Sequence, residues 1–317
     1  MRRPRLRPPT YRVITLVAAV LLGFIIVTGA AVRLTGSGLG CPDWPTCTET
    51  EIHPPVDDVH GMIEFVNRMI TGAVSIAVIV CVLGSLIRDP RRRDLVWLSV
   101  GLVGGVIAQA VVGGLTVLFE LRPEFVMTHF VLSLVLLLDA IVLYKRAGEP
   151  ATLAQLAVDR RVRDLGRALF VMVCVVVVTG TVVTATGPHG GDEDAQRFGF
   201  DISNVARIHG ISVMLFLVLT LVTLAVVRRT RAPEGVQTRL GAVLLIACIQ
   251  AAIGYIQYFN DIPALLVGLH VAGATALWTA VVWFWLGLSV RSPELATPAM
   301  PPALDAATLE PALADGP

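Results

Sequence analysis

The chain has 317 residues, is 55% hydrophobic and carries a formal net charge of +1, with a mean hydropathy of +0.75. A soluble core cannot use that much apolar surface, whereas apolar runs of about 20 residues are what cross a bilayer as helices. Period-2 alternation is absent, which argues against a β-barrel, and the basic clusters read as topology signals rather than a nucleic-acid surface.

Eight spans are predicted in chain order, at about 12–32, 63–87, 95–119, 125–145, 168–187, 207–227, 240–259 and 263–289. The first apolar run is too long for a signal peptide and lacks a clear small-residue cleavage site. With a cytoplasmic N-terminus, 20 of the 25 Lys and Arg fall inside, and only Arg33, Arg68, Arg122, Arg197 and Arg207 fall outside. Both termini are therefore expected in the cytoplasm of a multi-pass plasma-membrane protein. The first outer loop, about 34–62, is long and acidic and holds Cys41 and Cys47. Two cysteines six apart across a Pro-rich turn, in a compartment that permits disulfides, favour a disulfide over free thiols or a metal pair. Cys81, Cys174 and Cys248 lie in apolar helices and read as packing.

The spans form a repeat. Gln109, Gly113 and His129 recur as Gln250, Gly254 and His270, and Val27-Thr28-Gly29 with Thr35-Gly36 recurs as Val178-Thr179-Gly180 with Thr186-Gly187. Four spans per half is an even number, so the repeat is parallel, related by an axis along the membrane normal. The expected fold is an all-α integral membrane protein: eight transmembrane helices as two parallel-repeat four-helix bundles. Residues 1–147 and 166–291 are the bundles, 148–165 is a cytoplasmic linker, and 292–317 is a Pro/Ala-rich disordered tail.

His129, His209 and His270 lie in even-numbered spans near the outer surface, and the repeat counterpart of His209 is Asn67. Two histidines facing each other from adjacent helices can clamp a haem iron, whereas a lone one more often hydrogen-bonds across a helix interface. Asn67 is a poor iron ligand, so the first half is left with His129. His60, seven residues before Asn67, is a minor candidate replacement, and His53 and His189 read as solvated loop residues. Glu64 shares a face with Asn67. It fits proton handling or cation stabilisation, and equally a helix-end acid or a partner of Arg68. Arg68 and Arg207 fit haem propionates or headgroups. Gln109 and Gln250 fit ligand contacts or interhelical hydrogen bonds. Asp139 reads as an acid at the cytoplasmic end, and Trp278, Trp283 and Trp285 as packing and interface anchors.

With these residues in place, the chain resembles the haem A synthase family over about residues 12–290. The resemblance rests on eight helices in a four-plus-four repeat, histidines in even helices, the outer-loop cysteine pair, and a Glu-x-x-His-Arg element that here reads Glu64-Phe65-Val66-Asn67-Arg68. It implies oxidation of the C8 methyl of haem O to a formyl group, giving haem A for terminal oxidases. It implies a permanent haem b cofactor between His209 and His270. It implies a substrate haem O ligated by His129 with Asn67 and Arg68 lining its site, Glu64 as the catalytic glutamate, and a Cys41–Cys47 disulfide. Asn67 departs from the family pattern and puts bis-histidine ligation of the substrate in doubt. Expected partners are haem O, membrane lipid, a haem O synthase, an electron acceptor and a second copy of the chain, with no nucleic acid. The alternative is a di-haem b-type membrane electron carrier or quinol oxidoreductase, which should ligate equally well in both halves. A transporter with parallel repeats would more often show helices broken at mid-membrane, and a structural assembly factor is a further class.

Overall fold

The computed structural model describes residues 5–292. Eight long helices dominate it: α1 Pro8–Leu34, α2 Val59–Ile87, α3 Arg93–Leu118, α4 Pro123–Ala147, α5 Arg160–Thr186, α6 Ile202–Arg229, α7 Glu234–Phe259 and α8 Ala264–Leu286. Their 23 to 29 residues rise about 35–44 Å at 1.5 Å per residue, more than a hydrocarbon core requires. All eight are apolar enough to cross a membrane. Their outward faces stay apolar: Val20 is 60% and Phe24 51% exposed. An apolar belt of that extent suits lipid and not water.

Five of the helices begin where the sequence supplies a capping Asp or an opening Pro. Asp58 accepts from Gly61 N, Asp159 from Arg161 N, and Asp201 from Ser203 N and Asn204 N. Pro opens α1 and α4. These caps satisfy N–H groups that have no partner inside the helix. They also explain the differences from the predicted spans. α5 starts at Arg160 rather than 168, so the polar linker ends at Asp159. A capped, basic first turn extends the helix beyond the apolar stretch that hydropathy detects. α8 ends at Leu286 rather than 289, and Gly287 follows as its C-cap. Beyond it β2 (Ser289–Val290) pairs antiparallel with β1 (Gln155–Leu156) inside the linker. Apart from Ser292, the expected tail lies outside the described residues.

Within the first four helices, α1 packs on α2 and α4, and α3 on α2 and α4. In the second four, α5 packs on α6 and α8, and α7 on α6 and α8. Each set closes a ring of neighbours in the same order, as a duplicated unit would. The rings meet through α1, α4, α5 and α8. Trp278 is buried at that seam and its indole N–H donates to Leu134 O of α4 at 3.0 Å. It is a pin between the halves, not an interface anchor. Trp283 is stacked on Tyr144, with the Arg239 guanidinium 5.3 Å from its ring centre. At the face carrying the basic loops, Lys145 donates to Leu286 O. Asp139 sits eight residues before the end of α4, where a β-carbon on Gly101 would be 2.9 Å from its carboxylate oxygen. It therefore lies deeper in the bundle than an end-of-helix acid.

Candidate functional site

The special residues of the four even helices lie six to eight residues after each helix start: Asn67, His129, His209 and His270. That is about 9–12 Å in from the end at 1.5 Å per residue. They share a depth near the face that bears the long loops. Each histidine ring rests on a glycine of the preceding helix. A β-carbon on Gly113 would lie 3.1 Å from Cε1 of His129, one on Gly180 3.1 Å from Cε1 of His209, and one on Gly254 3.3 Å from Cε1 of His270. Only glycine lets the rings sit that close to the neighbouring backbone. These glycines belong to the duplicated sequence pattern, and here their purpose is visible.

In the second half the His209 and His270 rings lie 6.4 Å apart between centres, with planes at 82°. Nδ1 of His209 is 3.1 Å from the Thr179 hydroxyl. That bond fixes the ring and leaves Nε2 free, the usual arrangement for a metal-binding imidazole. Two axial nitrogens, each about 2 Å from one ion, put the ring centres roughly 6–6.5 Å apart. The observed spacing fits one iron between the two rings. Among the described residues no three His, Cys, Asp or Glu groups converge on a bare metal ion. A macrocycle that brings its own four nitrogens needs only such a pair.

The first half repeats the frame with one part changed. Thr28, the counterpart of Thr179, donates to Oδ1 of Asn67 at 2.9 Å. His129 sits over Gly113 as His270 sits over Gly254. Gln109 donates to His129 O at 3.1 Å and to Ser133 Oγ at 2.6 Å, bracing the turn that bears the ring. Its counterpart Gln250 packs against Gly273. In both halves the glutamine Oε1 and the α4 or α8 histidine Nδ1 are buried without a partner. The interhelical role expected for Gln109 is therefore present.

Glu64 is 6% exposed, and both its oxygens are used. Oε2 accepts from the Cys41 backbone N–H at 2.9 Å, and Oε1 accepts from Arg68 Nε at 3.1 Å and Nη2 at 2.6 Å. Arg68 also donates to the carbonyls of Cys41, Asp43 and Thr46. Every one of those carbonyls lies in the ring closed by the Cys41–Cys47 disulfide, whose Cα atoms are 4.4 Å apart. Arg68 thus faces the loop and holds it, where the sequence reading has it meeting an anionic ligand. The clamped loop lays Trp44 on α3, where a β-carbon on Gly114 would be 2.8 Å from the indole. Gly114 adjoins Gly113, on which His129 rests, so Trp44 packs on α3 at the level of that histidine. Sequence reasoning missed this role; the only available signal was an aromatic residue inside the seven-residue loop from Cys41 to Cys47.

Other expected residues stand apart. Arg207 is exposed, and no hydrogen bond or ion pair holds it among the described residues. It precedes His209 by two positions, a spacing that does not share a helix face. His60 is 2.9 Å from Ser37 Oγ through Nδ1, which ties it into the loop. His189 Nε2 is 2.8 Å from Ile262 O and is a loop brace rather than a solvated side chain. Arg197 is outside the spans, and burial lowers its pKa. Its guanidinium lies over Gly190, next to Gly191, which takes φ +107° and packs on Arg33. Neither arginine has a carboxylate partner among the described residues, so this pair, more than Arg207, is a free cationic spot on the loop face.

A family model described as cytochrome oxidase assembly protein matches residues 12–188, more than half of the chain. A protein of Exiguobacterium sibiricum named heme A synthase is 29% identical over 51% of this chain and 55% of its own length. One of Lysinibacillus sphaericus with the same name is 34% identical over 37% of this chain and 38% of its own. The match to the heme A synthase of Listeria welshimeri runs nearly end to end, at 24% identity over 89% of this chain and 96% of that protein. The alignment to the Exiguobacterium protein spans about half of that relative's length.

Proposed function

Because the chain belongs to the cytochrome oxidase assembly protein family, we propose that it is a haem A synthase: a membrane oxidoreductase that takes haem O and oxidises its C8 methyl to the formyl group of haem A. The observation that supports this most is the unequal doubling of one frame. His209 and His270 form a closed, two-ligand site 6.4 Å across, suited to a haem that stays. His129 opposite Asn67 forms a one-ligand site, suited to a haem that enters and leaves. An electron carrier with two equivalent haems has no use for that difference.

On this reading the second half holds haem b, and the two histidines fix it near the loop face. Haem supplies the electron-transfer capacity that side chains lack. The first half holds the substrate by His129, with Gln109 bracing the histidine's own helical turn. With water as the oxygen donor, methyl plus water gives the alcohol, and alcohol plus water gives the hydrated aldehyde. Each step releases two protons and passes two electrons to the required acceptor, and the hydrate then loses water to leave the formyl group. Glu64 sits in the first two turns of α2, with its two oxygens oriented by Arg68 and the Cys41 N–H. It can therefore stabilise positive charge developing at the oxidised carbon, or take its proton. The disulfide ring lays Trp44 on this half at the level of His129 and limits water there. On this reading the described ends of the chain, at residues 5 and 292, belong on the basic, cytoplasmic side and the site near the opposite side of the membrane. Lipid surrounds the apolar belt. Haem O synthase is the natural donor of substrate, an electron acceptor is required, and a second copy of the chain is a candidate partner.

The test supplies haem O to the purified wild-type protein and separates the extracted haems. Haem A or its alcohol precursor, formed alongside unaltered haem b, is the expected product. Haem O recovered unchanged, with two equivalent low-spin haems in the spectrum, would identify an electron carrier instead.

A further inference from the structure

The four glycines that cradle the rings are not all occupied. A β-carbon on Gly180 would meet His209 at 3.1 Å, while one on its repeat counterpart Gly29 meets nothing within 4 Å. The reason lies in the side chain opposite. Thr179 and Thr28 each hold the residue on the next helix, but His209 sends a ring across the glycine and Asn67 ends at its amide. The chain has thus kept the space for a ring and removed the ring. The Asn67 carbonyl oxygen is occupied by the Thr28 hydroxyl, which leaves its NH2 group, and this NH2 has no acceptor among the described residues. In the repeat the Gly29–Asn67 space is the counterpart of the place His209 fills opposite His270, and His129 is the counterpart of His270.

We infer that the Gly29–Asn67 space is a binding site for a small exogenous iron ligand, diatomic or of similar size, taken by the first-half haem on the face opposite His129 and met by the Asn67 amide N–H. The inference rests on the first half being a porphyrin site and goes beyond it. It makes that iron accessible to a dissolved small molecule, whereas the iron between His209 and His270 is closed on both faces. It also assigns Asn67 a positive task. A neutral side chain that cannot ligate iron can still donate a hydrogen bond to what does.

Carbon monoxide is the probe. The full-length protein is loaded with haem in both halves, reduced, and titrated with CO. One haem of the two should bind it, and that signal should vanish in His129→Ala while the low-spin haem persists. Asn67→His returns a ring to the space over Gly29 and should abolish CO binding and make both haems low-spin. Asn67→Leu keeps the space but removes the donor. CO should still bind, with its C–O stretching frequency raised toward that of an apolar pocket. Two bound haems and no CO complex in the wild type overturn the inference alone, as does undiminished CO binding in Asn67→His. An unshifted stretch in Asn67→Leu removes the amide from it. A protein that loads only the haem of His209 and His270 overturns the first-half porphyrin reading and this inference together.

Discussion

Glu64 joins two roles that one substitution separates. Its carboxylate anchors the disulfide loop through Cys41 N–H and pairs with Arg68 at 2.6 Å. Glu64→Gln preserves an acceptor for Cys41 and removes the charge. Arg68 keeps its loop carbonyls, so the loop should stay in place. Losing a charged hydrogen bond costs roughly 1.5–3 kcal/mol, and melting followed at the haem b band should fall accordingly. Haem b should remain while haem A formation stops. Full haem A output from Glu64→Gln would reduce this carboxylate to a loop clamp. The sequence made Glu64 legible as an acid beside Arg68 and Asn67, and left its purpose open. One of its partners, the Cys41 N–H, lies 23 residues upstream in a loop, and only the folded disulfide ring decides which carbonyls reach Arg68. Arg207 is exposed and, two positions before His209, does not share that ring's helix face, so its sequence context alone leaves open whether it meets a propionate or a headgroup.

Among the elements, the odd helices matter as much as the even ones that bear the histidines. Gly113, Gly180 and Gly254 allow the rings to lie against a neighbouring backbone. Gly180→Ala places a methyl 3.1 Å from His209 Cε1, so the ring must shift by a few tenths of an ångström from where it would hold a haem. Overpacking of this kind costs about 1–3 kcal/mol. Titrated haem b should bind more weakly, and its low-spin band should broaden or decline. Gly29→Ala meets nothing, so the haem b spectrum and its melting point should stay as in the wild type. Equal damage from both substitutions would contradict the cradle. The repeat made these glycines visible before the fold did, because duplicated Gly positions stand out against helices that otherwise vary freely. Helix number and order were legible from hydropathy for the same physical reason, the cost of unpaired backbone groups in lipid. Helix starts were not. Capping by Asp159 and Asp201 in interfacial water leaves no hydropathy signal.

For the whole molecule, two matched rings of four helices are pinned together by Trp278 on Leu134 and by the β1–β2 pair. Among the four positions of the histidine pattern they differ at Asn67, where the repeat has His209. The central claim is that the halves divide the labour, a retained haem in one and a transient substrate in the other. The most direct measurement is the inventory of haems in protein made in cells that supply haem O, compared for wild type, His129→Ala and His209→Ala. The wild type should yield haem b with haem A or its precursors. His129→Ala should keep haem b and yield no haem A, and His209→Ala should lose the low-spin haem b signal. Haem A produced by His129→Ala, or haem b retained in full by His209→Ala, would contradict the division.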